Sequence, residues 1–242
     1  MEYTKKHMHL REVFNSLHEK KEFENIELIE CKYQSKACYI LPGQQNYHCI
    51  QHNCDLKEEF GFFNDVGTIK DNVHIKDISV NENREFSYNI LKPKDERRAG
   101  KVTFMFHGFN EKSWDKYLTW AQTICERTNS AVVMFPMAFH MQRAPLHWSD
   151  KKKMFELSEQ RKKKYPNINQ STLSNVAISM RLHSMPQRFI WSGLQTYYDI
   201  IDFIESCKRG EHEFIDPAFS FDMFAYSIGG FLSQIFIVYP VC

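Results

Sequence analysis

A serine stands between two apolar runs in residues 224–230 (FAYSIGG), the first strand-like and the second helix-like. A serine on so sharp a strand-to-helix turn must adopt strained backbone angles, and it needs small residues two positions before and two after it. Ala225 and Gly229 meet this requirement. The turn would lift the Ser227 hydroxyl above the carboxyl edge of a sheet, where a hydroxyl can act as a nucleophile.

Attack on a carbonyl requires hydrogen-bond donors for the oxygen that becomes negatively charged. The amide of Ile228 faces the same space as the serine, at the start of a predicted helix whose dipole favours negative charge. Residues 106–110 (FHGFN) end an earlier apolar run and are placed to supply a second amide, that of Phe109. Gly108 permits the tight turn there. We therefore predict that the Phe109 and Ile228 amides form an oxyanion-binding pair.

Together, His107-Gly108-Phe109 and Ala225-Tyr226-Ser227-Ile228-Gly229 resemble the α/β-hydrolase fold, over about residues 73–242. The resemblance implies that Ser227 is the catalytic nucleophile and that the Phe109 and Ile228 amides are the oxyanion hole. It implies structural roles in the oxyanion loop and the turn for His107, Gly108, Ala225, Tyr226 and Gly229. The implied substrate is a small molecule with an ester or related acyl bond, and esterase, lipase, thioesterase and peptidase activities stay open.

The sequence after the serine departs from this pattern. In the α/β-hydrolase fold the triad runs Ser, then Asp or Glu, then His, but residues 228–242 contain none of these acids and no histidine. We expect the chain to be the front part of a longer protein, inactive without its acid and base. The alternatives are a complete but catalytically dead binding or scaffold protein, or a base supplied from elsewhere. A truncated sheet would leave residues 219–225 as an apolar edge that favours aggregation.

All eleven histidines precede Ser227. If one of them is an unusual base, then His140, His147 and His183 are the nearest candidates, although a solvated or hydrogen-bonded role is the expectation for each. We expect His107 to shape the oxyanion loop rather than to transfer protons.

The elements that must position these residues follow an α/β rhythm. We predict strands at 73–80, 86–91, 101–106, 131–137 and 219–225, helices at 114–128, 194–207 and 228–239, and a turn at 81–83. The predicted fold is an α/β-hydrolase-like, mostly parallel sheet with flanking helices, without its C-terminal strands. Residues 138–192 form a lid or cap insertion, and residues 1–72 an N-terminal extension. The last helix is apolar on nearly all sides, which predicts that the protein encloses it.

Composition limits the function classes. The chain has 242 residues, of which 43% are hydrophobic and 25% charged, as in a globular domain. Lys plus Arg is 31 and Asp plus Glu is 30, so no net field exists to attract nucleic acid. Residues 151–164 are locally basic, which we interpret as a solvated helix rather than a surface for anionic substrates or membranes. Residues 223–242 lack charge but contain several polar side chains, so we predict no membrane span.

The seven cysteines and the absence of a visible signal peptide predict reduced thiols and a cytoplasmic location. The cluster of His48, Cys49, His52 and Cys54 lacks paired Cys-x-x-Cys spacing, so we predict no metal site. No glycine-rich phosphate cradle is present, and we predict no cofactor.

Overall fold

The structure is a computed structural model that describes residues 3–16, 20–37, 46–49, 54–57, 79–168, 170–184 and 188–238. The helices in these ranges are α1 (Tyr3–Phe14), α2 (Leu118–Thr128), α3 (Lys151–Lys164), α4 (Leu173–Ser184), α5 (Arg188–Lys208) and α6 (Ile228–Val238). The strands are β1 (Lys20–Phe23), β2 (Ile26–Gln34), β3 (Asn46–Cys49), β4 (Cys54–Lys57), β5 (Glu85–Pro93), β6 (Ala99–Phe106), β7 (Ala131–Met134) and β8 (Ile215–Ala225).

Six strands form one mixed sheet in the order β1-β2-β5-β7-β6-β8, and β3 and β4 form a separate pair. β7, β6 and β8 are parallel, with β6 in the middle. α2 connects β6 to β7, and α3, α4 and α5 lie between β7 and β8 in the chain. This arrangement is an α/β-hydrolase-like fold, as the sequence predicts.

Helices cover both faces of the sheet because side chains alternate along each strand. On one face, Phe104 of β6 packs edge-on against Phe203 of α5, with ring centroids 5.7 Å apart. On the same face, Phe106 stacks on Phe236 of α6 at 6.0 Å. On the other face, Met105 belongs to a cluster with residues of α1 and α2. β6 is therefore buried on both sides near the candidate site, whereas most residues of β8 are exposed or half-buried.

The N-terminal residues differ from the prediction. β1 and β2 belong to the main sheet, and β2 pairs with β5 over its whole length, from Ile26↔Pro93 to Gln34↔Glu85. Within the predicted N-terminal extension, residues 20–23 and 26–34 are therefore strands of the main sheet. By pairing with β5, β2 covers the strand edge that β5 would otherwise expose. Apolar and polar residues alternate along β2. Because β1, β2 and β5 pair in antiparallel fashion, the described sheet is less parallel than predicted.

Several element boundaries also differ. β5, β6 and β8 appear where strands are predicted, but the run 131–137 is a strand only as far as Met134. The predicted strand at 73–80 lies outside the described residues except for its last two, and the turn at 81–83 is a short 3₁₀ helix. α5 begins at Arg188, six residues earlier than predicted, and a 3₁₀ turn at 115–117 precedes α2.

The segment between β7 and α5 is mainly helical. α3 and α4 pack through a small apolar cluster that includes Met154, Leu157 and Val176. The Asp150 side chain caps α3 by accepting hydrogen bonds from the amides of Lys152 and Lys153. Most of the basic side chains of α3 are exposed or half-buried, as expected of a solvated helix.

α6 is less enclosed than its composition predicts. Phe231, Ile237 and Val238 are exposed in the described part of the chain, whereas Leu232 and Phe236 are buried. Although α6 is apolar on nearly all sides, it is therefore not buried on every side. No helix in the described ranges combines the length and the apolar character needed to cross a bilayer.

A buried ion pair joins the segment after β7 to α5. The Arg143 guanidinium donates a hydrogen bond to the Asp199 carboxylate at 2.7 Å, and both side chains are fully buried. Arg143 also donates to the Asn83 side chain at 3.1 Å and to the Pro136 carbonyl at 3.1 Å. Ser35 donates to the other Asp199 oxygen at 2.5 Å. Burial raises the pKa of Asp199, and these donors oppose that rise by stabilising its charged form.

We predict that Arg143→Met lowers the free energy of unfolding by about 3–5 kcal/mol, because it leaves the Asp199 charge buried without its cation. Urea unfolding followed by tryptophan fluorescence measures the change. In the double variant Arg143→Met/Asp199→Leu most of the loss should be recovered, since neither charge remains. A loss below about 1 kcal/mol in the single variant would show that the pair is not required.

Candidate active site

The candidate nucleophile lies on a tight turn between β8 and α6. Ser227 is exposed and has φ +56°, a left-handed conformation that non-glycine residues rarely adopt. The Tyr226 amide donates to the Phe106 carbonyl at 3.1 Å, and the Gly229 amide donates to the Tyr226 carbonyl at 3.0 Å. These bonds fix the backbone on both sides of the serine.

Close packing between α6 and the end of β6 explains the glycine after the serine. A Cβ on Gly229 would lie 2.7 Å from the Phe106 Cβ and 2.9 Å from the carbonyl oxygens of Phe106 and His107. No side chain fits at such distances. Ala225, two residues before the serine, is the direct register partner of Phe106 in the sheet. The turn is therefore held directly against the end of the neighbouring strand.

The loop after β6 lies against the same turn. A Cβ on Gly108 would lie 2.9 Å from Cδ1 of the Tyr226 ring, so this position also favours glycine. The Gly108 amide donates to the Tyr117 hydroxyl at 2.7 Å, and that hydroxyl donates to Glu111 at 3.1 Å. The loop is thus anchored to the 3₁₀ turn before α2 on one side and to Tyr226 on the other.

His107 is fully buried, and neighbours occupy both of its ring nitrogens. Nδ1 lies 2.8 Å from the Gly108 carbonyl, and Nε2 accepts the Met137 amide at 3.0 Å. The acceptor role of Nε2 places the ring proton on Nδ1 in the neutral form. Burial, together with a smaller effect of the nearby His140, lowers the pKa of His107 to about 3. His107 is therefore neutral near pH 7 and joins the loop to the segment after β7.

Phe109 and Ile228 line one small pocket. Within the described ranges, no backbone carbonyl accepts the amide proton of either residue. Phe109 packs edge-on against His140, with ring centroids 5.5 Å apart. The remaining lining residues come from the segment after β7 and from the start of α5: Phe139, His140, Arg188, Phe189 and Ser192. The structure therefore brings both predicted donor residues to one concave surface.

A second strained segment contributes Phe139 and His140 to the lining of this pocket. Phe139 has φ +63° and Met141 has φ +48°, so two non-glycine residues in the left-handed region flank His140. The Phe139 amide donates to the Asn83 side chain at 3.2 Å, and Ser192 donates to the Ala138 carbonyl at 2.7 Å. Such conformations cost about 1–3 kcal/mol each and persist where surrounding contacts enforce them, often at functional sites.

The three alternative base candidates have different positions. His140 is buried beside the pocket, and its Nδ1 lies 2.9 Å from the Ala138 carbonyl. His147 is half-buried in a 3₁₀ turn and packs edge-on against Trp148. His183 belongs to α4, but its side chain lies outside the described residues. Of the two whose side chains the structure describes, His140 and His147, only His140 lines the pocket that Phe109 and Ile228 share.

Sequence reasoning missed the wall formed by Phe139, Arg188, Phe189 and Ser192. Phe139 and Arg188 lie near the two ends of the predicted lid segment, and no local motif joins residues about 50 positions apart. Positive φ at an aromatic residue is likewise not visible in the sequence. A helix predicted to start at Arg188 rather than six residues later would have pointed to this wall, because it would have placed Arg188, Phe189 and Ser192 on one helix.

In the described part of the chain, no group of three or more His, Cys, Asp or Glu side chains is arranged to hold a metal ion. Cys31, Cys125 and Cys207 are free thiols, and burial raises the pKa of each. Cys49 and Cys54 are directly opposite each other in the β3–β4 pair, but their side chains lie outside the described residues.

Residues 1–239 match the model of a family of unknown function, DUF6051. The chain belongs to this family. No curated protein matches the sequence. Among solved structures, the chain is similar to one from Bacteroides fragilis described as "a putative acetyl xylan esterase", with a TM-score of 0.41 and 8% identity. The match covers 96% of this chain and 48% of the other, so the chain spans about half the length of that protein.

We predict that Gly229→Ala destabilises the protein by about 1–3 kcal/mol, because the added methyl group would overlap the end of β6. The neighbouring Gly230 is a matched control, since a Cβ there meets nothing within 4 Å. Gly230→Ala should be neutral or stabilising by up to about 1 kcal/mol, because alanine favours the helix. Thermal unfolding compares the two variants. Equal effects at both positions would contradict the close packing.

Proposed function

We propose that this chain carries the nucleophile and oxyanion hole of a serine hydrolase that acts on an ester or related acyl bond of a small molecule. One observation carries the proposal. Ser227 lies at φ +56° on the turn between β8 and α6, and the next residue, Ile228, lines a pocket together with Phe109. A serine strained in this way keeps its hydroxyl exposed at the carboxyl edge of the sheet.

In the proposed reaction, Ser227 Oγ attacks the carbonyl carbon, loses its proton to a base, and forms a tetrahedral intermediate. The amides of Phe109 and Ile228 donate to the oxyanion, and the N-terminus of α6 adds its dipole. Collapse of the intermediate breaks the ester C–O bond, and the leaving alcohol takes the proton. Water then hydrolyses the acyl-serine and restores the hydroxyl. Loss of one oxyanion donor typically costs about 10²–10³ in kcat.

The base that accepts the serine proton has two candidate sources in this proposal. Residues 228–242 contain no His, Asp or Glu, so the usual order of the triad is not met within this sequence. His140 is the candidate that lines the pocket, and its Nδ1 contact with the Ala138 carbonyl would leave Nε2 as the basic nitrogen. A base supplied from elsewhere is the other source.

The lack of His, Asp and Glu in residues 228–242 favours a second function. Without acid and base after Ser227, the pocket would still bind a ligand, and the protein would act as a catalytically dead binding or scaffold protein. For both functions we propose that residues 138–192 act as a lid. We also propose a cytoplasmic location and no nucleic-acid partner.

A fluorophosphonate probe separates the two functions, because it reacts with activated serine hydroxyls. We predict a covalent adduct on Ser227, located by peptide mass spectrometry and lost in Ser227→Ala. Ser233→Ala is the matched control: this serine lies on α6 and donates to the Gly229 carbonyl, so its removal should leave labelling unchanged. A folded chain that shows no adduct on Ser227, with or without added imidazole as a base, would support the binding protein instead.

The source of the base is tested in the same assay. If His140 is the base, His140→Gln should slow labelling at least tenfold, and added imidazole should restore the rate. If the base lies elsewhere, imidazole should accelerate labelling of the unchanged chain at least tenfold, and His140→Gln should have little effect.

A further inference from the structure

A series of hydrogen-bonded side chains supports the loop that carries Phe109. The Tyr117 side chain is buried, and its hydroxyl accepts the Gly108 amide at 2.7 Å. The same hydroxyl donates to the Glu111 carboxylate at 3.1 Å, and Glu111 also accepts a hydrogen bond from the Lys116 ammonium group. A hydroxyl has one proton, so its donation to Glu111 leaves an oxygen lone pair for the Gly108 amide. Glu111 therefore sets the direction of the Tyr117 proton.

The carbonyl side of Gly108 is held as well. Its oxygen lies 2.8 Å from His107 Nδ1, which carries the ring proton because Nε2 accepts the Met137 amide. The Gly108 carbonyl and the Phe109 N–H belong to one trans peptide group, in which they point in opposite directions. The Phe109 N–H is therefore directed away from the His107 ring. Tyr117 fixes the peptide group before Gly108, and His107 fixes the one after it.

The same group of side chains contacts the serine turn. Lys116 Nζ lies 4.4 Å from the centroid of the Tyr226 ring, within cation–π distance. A Cβ on Gly108 would lie 2.9 Å from that ring and 3.3 Å from Glu111 Oε1. Tyr226 directly precedes Ser227 in the chain. The residues that hold the loop after β6 therefore also pack against the turn that carries the proposed nucleophile.

We propose that Tyr117 and Glu111 are positioning residues that hold the Phe109 N–H in the direction that an oxyanion requires. This inference rests on the proposed function, which makes the Phe109 amide an oxyanion donor. Tyr117 acts through the Gly108 amide, and Glu111 acts by keeping the Tyr117 proton away from that amide. Donors fixed in this way stabilise the transition state because they need no reorganisation when the negative charge develops.

Amide hydrogen exchange of the full chain, resolved by NMR, tests the positioning without requiring catalysis. Tyr117→Phe removes the acceptor of the Gly108 amide, so we expect this amide to exchange at least about tenfold faster. Glu111→Leu should also accelerate its exchange, whereas Glu111→Gln keeps an acceptor oxygen for the Tyr117 proton and should restore most of the protection. Tyr3→Phe is the matched control and should leave Gly108 exchange unchanged, because it removes a hydroxyl contact with Thr119 of the neighbouring α2.

Fluorophosphonate labelling of Ser227 measures the consequence for the proposed site. Tyr117→Phe should lower the limiting rate of labelling at least about tenfold. The probe concentration that gives half of this rate should stay unchanged, because the negative charge develops only in the transition state. A general loss of structure would weaken probe binding as well. Glu111→Gln should be labelled faster than Glu111→Leu, and Tyr3→Phe should be labelled as fast as the unchanged chain.

Unchanged exchange of the Gly108 amide in Tyr117→Phe would overturn the inference. So would labelling of Ser227 at the same limiting rate in Tyr117→Phe and in the unchanged chain. Circular dichroism verifies that each variant is folded. If Tyr117→Phe unfolds, Glu111→Leu and Glu111→Gln decide, and equal Gly108 exchange in these two variants would contradict the inference.

The two measurements separate this inference from the proposed hydrolase. If Ser227 is never labelled but Gly108 exchange responds as expected, then the hydrolase proposal fails while the positioning of the loop stands. If Ser227 is labelled but neither Tyr117→Phe nor Glu111→Leu changes exchange or labelling, then the positioning fails while the hydrolase proposal stands.

Discussion

The close approach of α6 to the end of β6 determines the geometry of the candidate site. Gly229 lies so near Phe106 and the His107 carbonyl that a single methyl group would not fit. Because the helix starts in contact with the neighbouring strand, the chain has only two residues, Tyr226 and Ser227, in which to turn from β8 into α6. The left-handed conformation of Ser227 follows from this short connection. Its cost of about 1–3 kcal/mol is offset by packing on both faces of the sheet.

The pocket wall that contains Phe139 depends on a different interaction. The buried pair of Arg143 and Asp199 holds the segment after β7 against α5, and the Asn83 side chain accepts hydrogen bonds from both Arg143 and the Phe139 amide. Through these contacts the strained residues on either side of His140 keep their conformation. His107 completes the connection, because it accepts the Met137 amide and contacts the Gly108 carbonyl. The two walls are thus joined by buried polar groups, where small displacements are costly.

The strands and the turn could be predicted from the sequence because their signals are local. The apolar runs of β6 and β8 and the small residues around Ser227 lie within a few positions of one another. The contribution of β1 and β2 to the sheet could not be predicted, because it depends on pairing with β5 more than 50 residues away. The pocket wall that contains Arg188 could not be predicted for the same reason, because it also depends on contacts between distant residues. Arginine side chains are seldom buried, and the burial of Arg188 depends on its neighbours in the folded protein.

The exposed apolar side of α6 shows a limit of composition as a guide. A helix that is apolar on nearly every side predicts enclosure, yet in the described residues Phe231 and Ile237 are exposed. The position of β8 at one end of the described sheet explains this, because α6 covers the sheet next to a strand that pairs on one side only.

The central claim is that the Ser227 hydroxyl and the amides of Phe109 and Ile228 converge on one point. A crystal structure of the chain after reaction with a fluorophosphonate measures this directly. We predict phosphorus bonded to Ser227 Oγ, with the phosphoryl oxygen about 3 Å from both amide nitrogens. A serine with negative φ, or a phosphoryl oxygen directed away from both amides, would contradict the claim.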